Sequence, residues 1–206
     1  MTQVPLSFGV VILGAGASSR MGRPKLLLPW RATTVVGHII SQWRELGALQ
    51  IAVVQRDNDL ALTAELDRLK VPPSDRLKNP HPELGMFSSI VCAANWNGWR
   101  GDLKSFAIAL GDQPQLRLET LRGLLTCHGE HFDAVCQPAF QERARHPVLL
   151  PREVFNEIKR TNAETLKDFL KLIPGSHVQY PVDDAGLTLD LDTPEDYIEA
   201  MTRSSQ

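Results

Sequence analysis

The chain has 206 residues, enough for one sizeable core, and its 43% hydrophobic and 22% charged content is that of an ordinary water-soluble globule. Its 22 basic and 24 acidic residues give a formal charge of −2, so no basic excess points to a nucleic-acid partner. No apolar run approaches the ~18–20 residues of a membrane span, and the opening MTQVPLSFGV lacks the basic start and cleavage pattern of a secretion signal. Cys92, Cys127 and Cys136 have no metal-type spacing, which predicts free structural thiols in a reducing cytoplasm.

Val10, Val11, Ile12 and Leu13 form an uncharged apolar run, a buried strand, which breaks into Gly14-Ala15-Gly16-Ala17-Ser18-Ser19. A strand ending in such a loop lets backbone N–H groups approach an anion closely. Arg20 and Lys25 follow, with Gly22 and Pro24 between them, and add the positive charge that a polyphosphate needs. A dinucleotide loop of G-x-G-x-x-G type is disfavoured: Ser19 stands at the third glycine, and no acidic residue lies between Arg31 and Arg44. A G-x-x-x-x-G-K-[ST] loop is absent. The remaining reading is a nucleoside-triphosphate loop.

Helical spacing follows over Thr34–Leu46, with Gly47 placed to stop it, then a short strand at Ile51–Val54 and a helix over Asn58–Leu69. Arg76–Lys78 reads as a short strand, Leu84–Trp96 as a buried helix, Phe106–Leu110 as a central strand and Leu118–Cys127 as a helix. Ala134–Gln137 and Pro147–Leu150 read as strands, and Pro151 is expected at the first position of a helix running to Lys159. A helix over Thr165–Leu172, a strand over Val178–Val182 and a helix over Pro194–Met201 complete the chain. Strands alternating with helices predict one α/β domain over residues 1–206, a three-layer α/β/α arrangement with a mostly parallel sheet. Ligands of such sheets bind beyond the carboxyl ends of the strands.

Three carboxylates fall there. Asp112, in Gly111-Asp112-Gln113-Pro114, follows the central strand and can hold Mg²⁺ against a triphosphate, or cap the next helix. Taken with the cationic loop, the metal reading is preferred. Asp190 and Asp192 alternate with Leu189 and Leu191, which on a strand places both carboxylates on one face. Thr193-Pro194-Glu195-Asp196 is also a good helix start, so Asp192 serves a cation or a cap.

The segment LGAGASSRMGRPK resembles the L-A-A-G-x-S-x-R-M-G-x-x-K signature of the MobA-like nucleotidyltransferases, with Gly14 where the family commonly has Ala. GDQP and LDLDTPED are similar to two further family elements. The resemblance implies a Rossmann-like nucleotidyltransferase fold, Asp112 and Asp192 as metal ligands for Mg²⁺, and Arg20, Lys25 and Asp112 as the catalytic set. It implies a nucleotide held by Leu13, Gly14, Ala15, Gly16, Ser18, Arg20 and Lys25. Asn79–Ser89 is similar to the nucleoside element of molybdenum cofactor cytidylyltransferases, which adds Gly85 and Ser89. Ala15-Gly16 follows the cytidylyl pattern, the extra Cβ narrowing the base pocket. Arg145-His146-Pro147-Val148-Leu149 resembles a G-H-P-[VI]-L acceptor element with Arg145 in place of glycine; His146 is an acceptor residue or a structural one. The implied reaction joins CTP to a molybdopterin-type acceptor and releases pyrophosphate, with delivery to a molybdenum hydroxylase or its chaperone. GTP as donor, a sugar or polyol phosphate as acceptor, and a non-catalytic nucleotide sensor are the alternatives.

Overall fold

The computed structural model describes residues 6–18 and 20–204. Residues 1–5, the first half of the opening MTQVPLSFGV segment, Ser19, at the third glycine position, and residues 205–206 lie outside the described residues. In chain order the elements are β1 (Phe8–Leu13), β2 (Pro29–Trp30), β3 (Thr33–Thr34), α1 (Val35–Glu45), β4 (Gln50–Arg56), α2 (Leu60–Arg68), β5 (Arg76–Asn79), α3 (Met86–Asn95), β6 (Ser105–Leu110), α4 (Leu118–Glu130), β7 (Val135–Phe140), β8 (Arg143–Ala144), β9 (Val148–Pro151), α5 (Arg152–Glu157), α6 (Leu166–Leu172), β10 (His177–Pro181) and α7 (Pro194–Arg203).

Every residue of β1 is buried, because helices cover both faces of the sheet. Its side chains alternate: Val10 and Ile12 join a core with α1, α2 and α4, whereas Val11 and Leu13 join one with α3, α5 and α6. The result is a three-layer α/β/α fold. The main sheet runs β10-β7-β9-β6-β1-β4-β5, with β8 paired to β7. Parallel pairing joins β1 to β4 and β6, β4 to β5, and β7 to β10. β9 alone on this path is antiparallel to both neighbours, β6 and β7. Its start therefore lies at the edge where β1, β4, β6, β7 and β10 end. Thr34, Asp59, Thr165 and Thr193 cap α1, α2, α6 and α7 with side-chain oxygens, and Thr193 forms a capping box with Asp196.

Two local expectations are corrected. Pro151 is not the first residue of a helix; it ends β9 opposite Ser105 with extended backbone, and α5 starts at Arg152. The Leu189–Asp192 segment is not a strand. It follows a 3₁₀ turn at Ala185–Thr188, and the buried Gln115 side chain donates to the carbonyls of Gly186 and Leu189, filling the place of a strand partner. Leu189 and Leu191 are still buried while Asp190 and Asp192 point outward, so the alternation holds without a ladder.

Candidate active site

The site forms where β1 and β6 end side by side. Leu13 pairs with Leu110, and the Gly111 N–H donates to the Leu13 carbonyl at 3.0 Å. A Cβ on Gly111 would stand 2.5 Å from that oxygen, so the position needs space rather than an unusual φ. Gly14 is similarly confined: its N–H donates to Val54 at 2.8 Å, and a Cβ would meet Leu26 at 2.9 Å. Gly16 by contrast faces open space. The loop then turns back, and the Lys25 N–H donates to the Ser18 hydroxyl at 3.3 Å, closing a ring of residues over the strand end.

This closure points the Lys25 side chain at the carboxylates. Its ammonium donates to Asp112 and lies 3.3 Å from the Asp192 Oδ1, while Arg20 donates to the Asp192 Oδ2 at 2.7 Å. Lys25 and Asp112 are largely enclosed; Arg20 is mostly exposed at the rim. Burial opposes the charge on Lys25, but Asp112 and then Asp192 outweigh it and hold its pKa above the ordinary lysine value. Neither carboxylate is a helix cap. Helix α4 starts at Leu118 without a side-chain cap, and Thr193 and Asp196 cap α7 by themselves. Asp190 stands beside them, its Oδ1 accepting from the Gln113 amide at 2.8 Å. Burial and then the Asp112 charge raise the Asp190 pKa above the usual carboxylate range.

The reversed strand brings two further residues, Arg145 and His146, to this end of the sheet. His146 precedes β9, and its Nδ1 lies 3.3 Å from the Ile108 carbonyl in β6. Nδ1 facing a carbonyl must carry the proton, which leaves Nε2 as an acceptor. Burial pushes the imidazole below the ordinary histidine pKa, and the hydrogen bond to the Ile108 carbonyl and then the Asp112 charge only partly offset this. Arg145 lies next to it, its Nε buried without a partner.

The structure thus brings Arg20, Lys25, Asp112 and Asp192 together, with Leu13 at the end of β1 and Gly14, Ala15, Gly16 and Ser18 in the loop beside them. Gly85 precedes α3 with φ +87° and ψ −179°, a backbone that only glycine adopts readily. Ser89 is placed differently from a surface contact: it is buried, and its hydroxyl accepts from Asn79 at 2.9 Å. Sequence reading quoted Asn79 and Gln113 within their elements without giving either a role, and passed over Arg56, whose Nε donates to the Ala15 carbonyl at 3.0 Å. Arg56 and Asn79 end β4 and β5, so the rule that placed the other site residues at strand tips also reaches them.

The MobA-like NTP transferase domain profile matches residues 10–180. The chain belongs to this family. It is a nucleotidyltransferase, and its relatives include enzymes of molybdenum cofactor synthesis. The chain is 26% identical to the molybdenum cofactor cytidylyltransferase of Escherichia coli (strain K12), an alignment covering 95% of this chain and 96% of that one. It is 27% identical to a probable molybdenum cofactor guanylyltransferase of Bacillus cereus (strain G9842), covering 92% and 94%. Among solved structures, Rv0371c of Mycobacterium tuberculosis H37Rv superposes with a TM-score of 0.73 at 25% identity, covering 97% of this chain and all of that one, and it has also been solved in complex with manganese. No helix among the described residues is long and apolar enough to cross a membrane.

Proposed function

We propose that residues 1–206 act as one cytoplasmic domain that transfers CMP from CTP to a molybdopterin-type acceptor with Mg²⁺ and releases pyrophosphate. The observation that supports this best is the convergence of Asp112 and Asp192 on one point, now held by the Lys25 ammonium. Two carboxylates and no nitrogen or sulfur donor suit Mg²⁺, which usually binds one or two carboxylates and completes its shell with water and substrate phosphate. Among the described residues no cluster of three or more His, Cys, Asp or Glu side chains could hold a metal, so substrate oxygens would complete the set. When bound there, the ion neutralises charge on the α-phosphate.

The chain's own residues do the rest. Lys25 and Arg20, released from the carboxylates, hold the β- and γ-phosphates and the departing pyrophosphate. Gly16 lets the loop backbone lie close to the triphosphate. His146 and Arg145 hold the acceptor phosphate in line with the α-phosphorus. That phosphate is already deprotonated at neutral pH, so no general base is required. Ala15, in the cytidylyl pattern, supports CTP as donor; the relatives named as guanylyltransferases support GTP as a second reading. A molybdenum hydroxylase or its chaperone is the proposed recipient of the product.

The deciding assay is pyrophosphate release with CTP and with GTP, each with and without molybdopterin. Release that requires CTP and molybdopterin is expected. No release with any nucleotide across molybdopterin, sugar phosphates and polyol phosphates would refute the transferase assignment.

A further inference from the structure

Beyond His146 the surface opens into a cavity of about 970 Å³ between the β7–β8–β9 edge, α6 and Met86. Arg143, Arg145, Lys167, Lys171, His146 and His177 line it, and no acidic residue does. Of these six side chains only Lys171 has an ion pair among the described residues, with Asp168 at 2.8 Å. Arg143, Arg145 and Lys167 have none. The Arg145 Nε is a buried donor with no acceptor among the described residues, so this guanidinium is not held by a protein counter-charge. Asp168, beside Lys171 and Lys167, offsets only part of this positive charge, and a bound anion would reduce the repulsion that remains.

We infer that this cavity seats a second anionic group of the acceptor, separate from the phosphate that reacts. The inference rests on the acceptor reading of Arg145 and His146. It narrows the acceptor to a class: a molecule with a terminal phosphate at one end and another anionic oxygen group at the other. His146 links the two places, since it borders the cavity and feels the charge of Asp112. A singly phosphorylated acceptor leaves the cavity unfilled and binds more weakly.

The test is calorimetric binding of α,ω-alkanediol bisphosphates of increasing length, each against its monophosphate, to the wild-type chain and to the double variant Arg143→Gln/Lys167→Gln. Both side chains are exposed, so the variant should keep its fold, checked by its melting temperature. Wild type should bind one length of bisphosphate at least about tenfold more tightly than the matching monophosphate, the worth of one charge-assisted contact. The double variant should lose that gain and keep monophosphate affinity, whereas Arg143→Lys/Lys167→Arg should retain it. No gain at any length, or a gain that survives the double variant, overturns the inference. Pyrophosphate release is measured separately. Binding gain without release keeps the subsite and refutes nucleotidyl transfer; release without binding gain refutes the subsite alone.

Discussion

The Lys25 ammonium lies 3.3 Å from the Asp192 carboxylate, although 167 positions separate them in the chain. The same ammonium holds Asp112. A loop at one end of the sequence is thereby tied to the approach to the last helix, and the tie occupies the spot where two carboxylates meet.

Lys25→Met should therefore free that spot. Manganese, followed by electron paramagnetic resonance without nucleotide, should bind the variant more tightly than wild type. The same variant should weaken binding of triphosphate more than of monophosphate, by about tenfold or more for the loss of a charge-assisted contact. Equal losses for both nucleotides would contradict a role on the β- and γ-phosphates.

Asp112→Asn keeps the shape and removes the charge. Turnover should fall by about a hundredfold or more, the scale expected when a preorganised electrostatic group is removed. Lys25 retains Asp192, so the melting temperature should change far less than activity does. Near wild-type rates would remove Asp112 from the reaction centre.

Gly111→Ala tests the fold under the site. Its new Cβ would press on the Leu13 carbonyl, which is backbone and cannot rotate away. Overpacking of this kind costs ~1–3 kcal/mol. For a chain of this length that corresponds to a melting-point drop of roughly 2–12 °C. Gly16→Ala, where nothing lies near, should leave the melting temperature unchanged.

His128 gives a pH dependence away from the site. It is fully buried against the Ser105 hydroxyl at 2.7 Å, and burial lowers its pKa from 6.5 to about 4. The unfolded chain takes up this proton first, so stability is complete above pH 6.5 and falls as the pH drops toward 4. The loss from this group should be ~3 kcal/mol by pH 4. His38, also lowered to about 4, adds in the same direction. Denaturant midpoints between pH 4 and 7 should show a shallower slope in His128→Gln than in wild type.

Arg145→Gly restores the residue common in the resembled acceptor element. It should raise the acceptor KM and leave the nucleotide KM unchanged. A change in the nucleotide KM instead would place Arg145 on the donor side.

The layers and the mostly parallel sheet were legible because β1, β4 and β6 are continuous apolar runs bounded by glycine or polar residues, whereas the strand order and the reversal of β9 were not. The loop and Asp112 were legible because each follows such a run directly. Asp192 was found for a partly wrong reason: its alternation with leucine is real, but Gln115 rather than a neighbouring strand holds the segment. The burial of Ser89 under Asn79 was not legible, since a serine in a first helical turn looks the same in sequence whether it faces solvent or strand. Arg143 and Lys167 were missed because they come from different elements, and only the reversal of β9 and the docking of α6 bring them to one cavity.

That reversal has a consequence for redesign. β6 divides the sheet: β1, β4 and β5 lie on one side with the loop that follows β1, and β9, β7 and β10 lie on the other with the cationic cavity. On the proposed reading, exchanging residues 141–177 between homologues as a cassette would change the acceptor while the nucleotide end is kept, provided the core that α5 and α6 share with Val11 and Leu13 is matched.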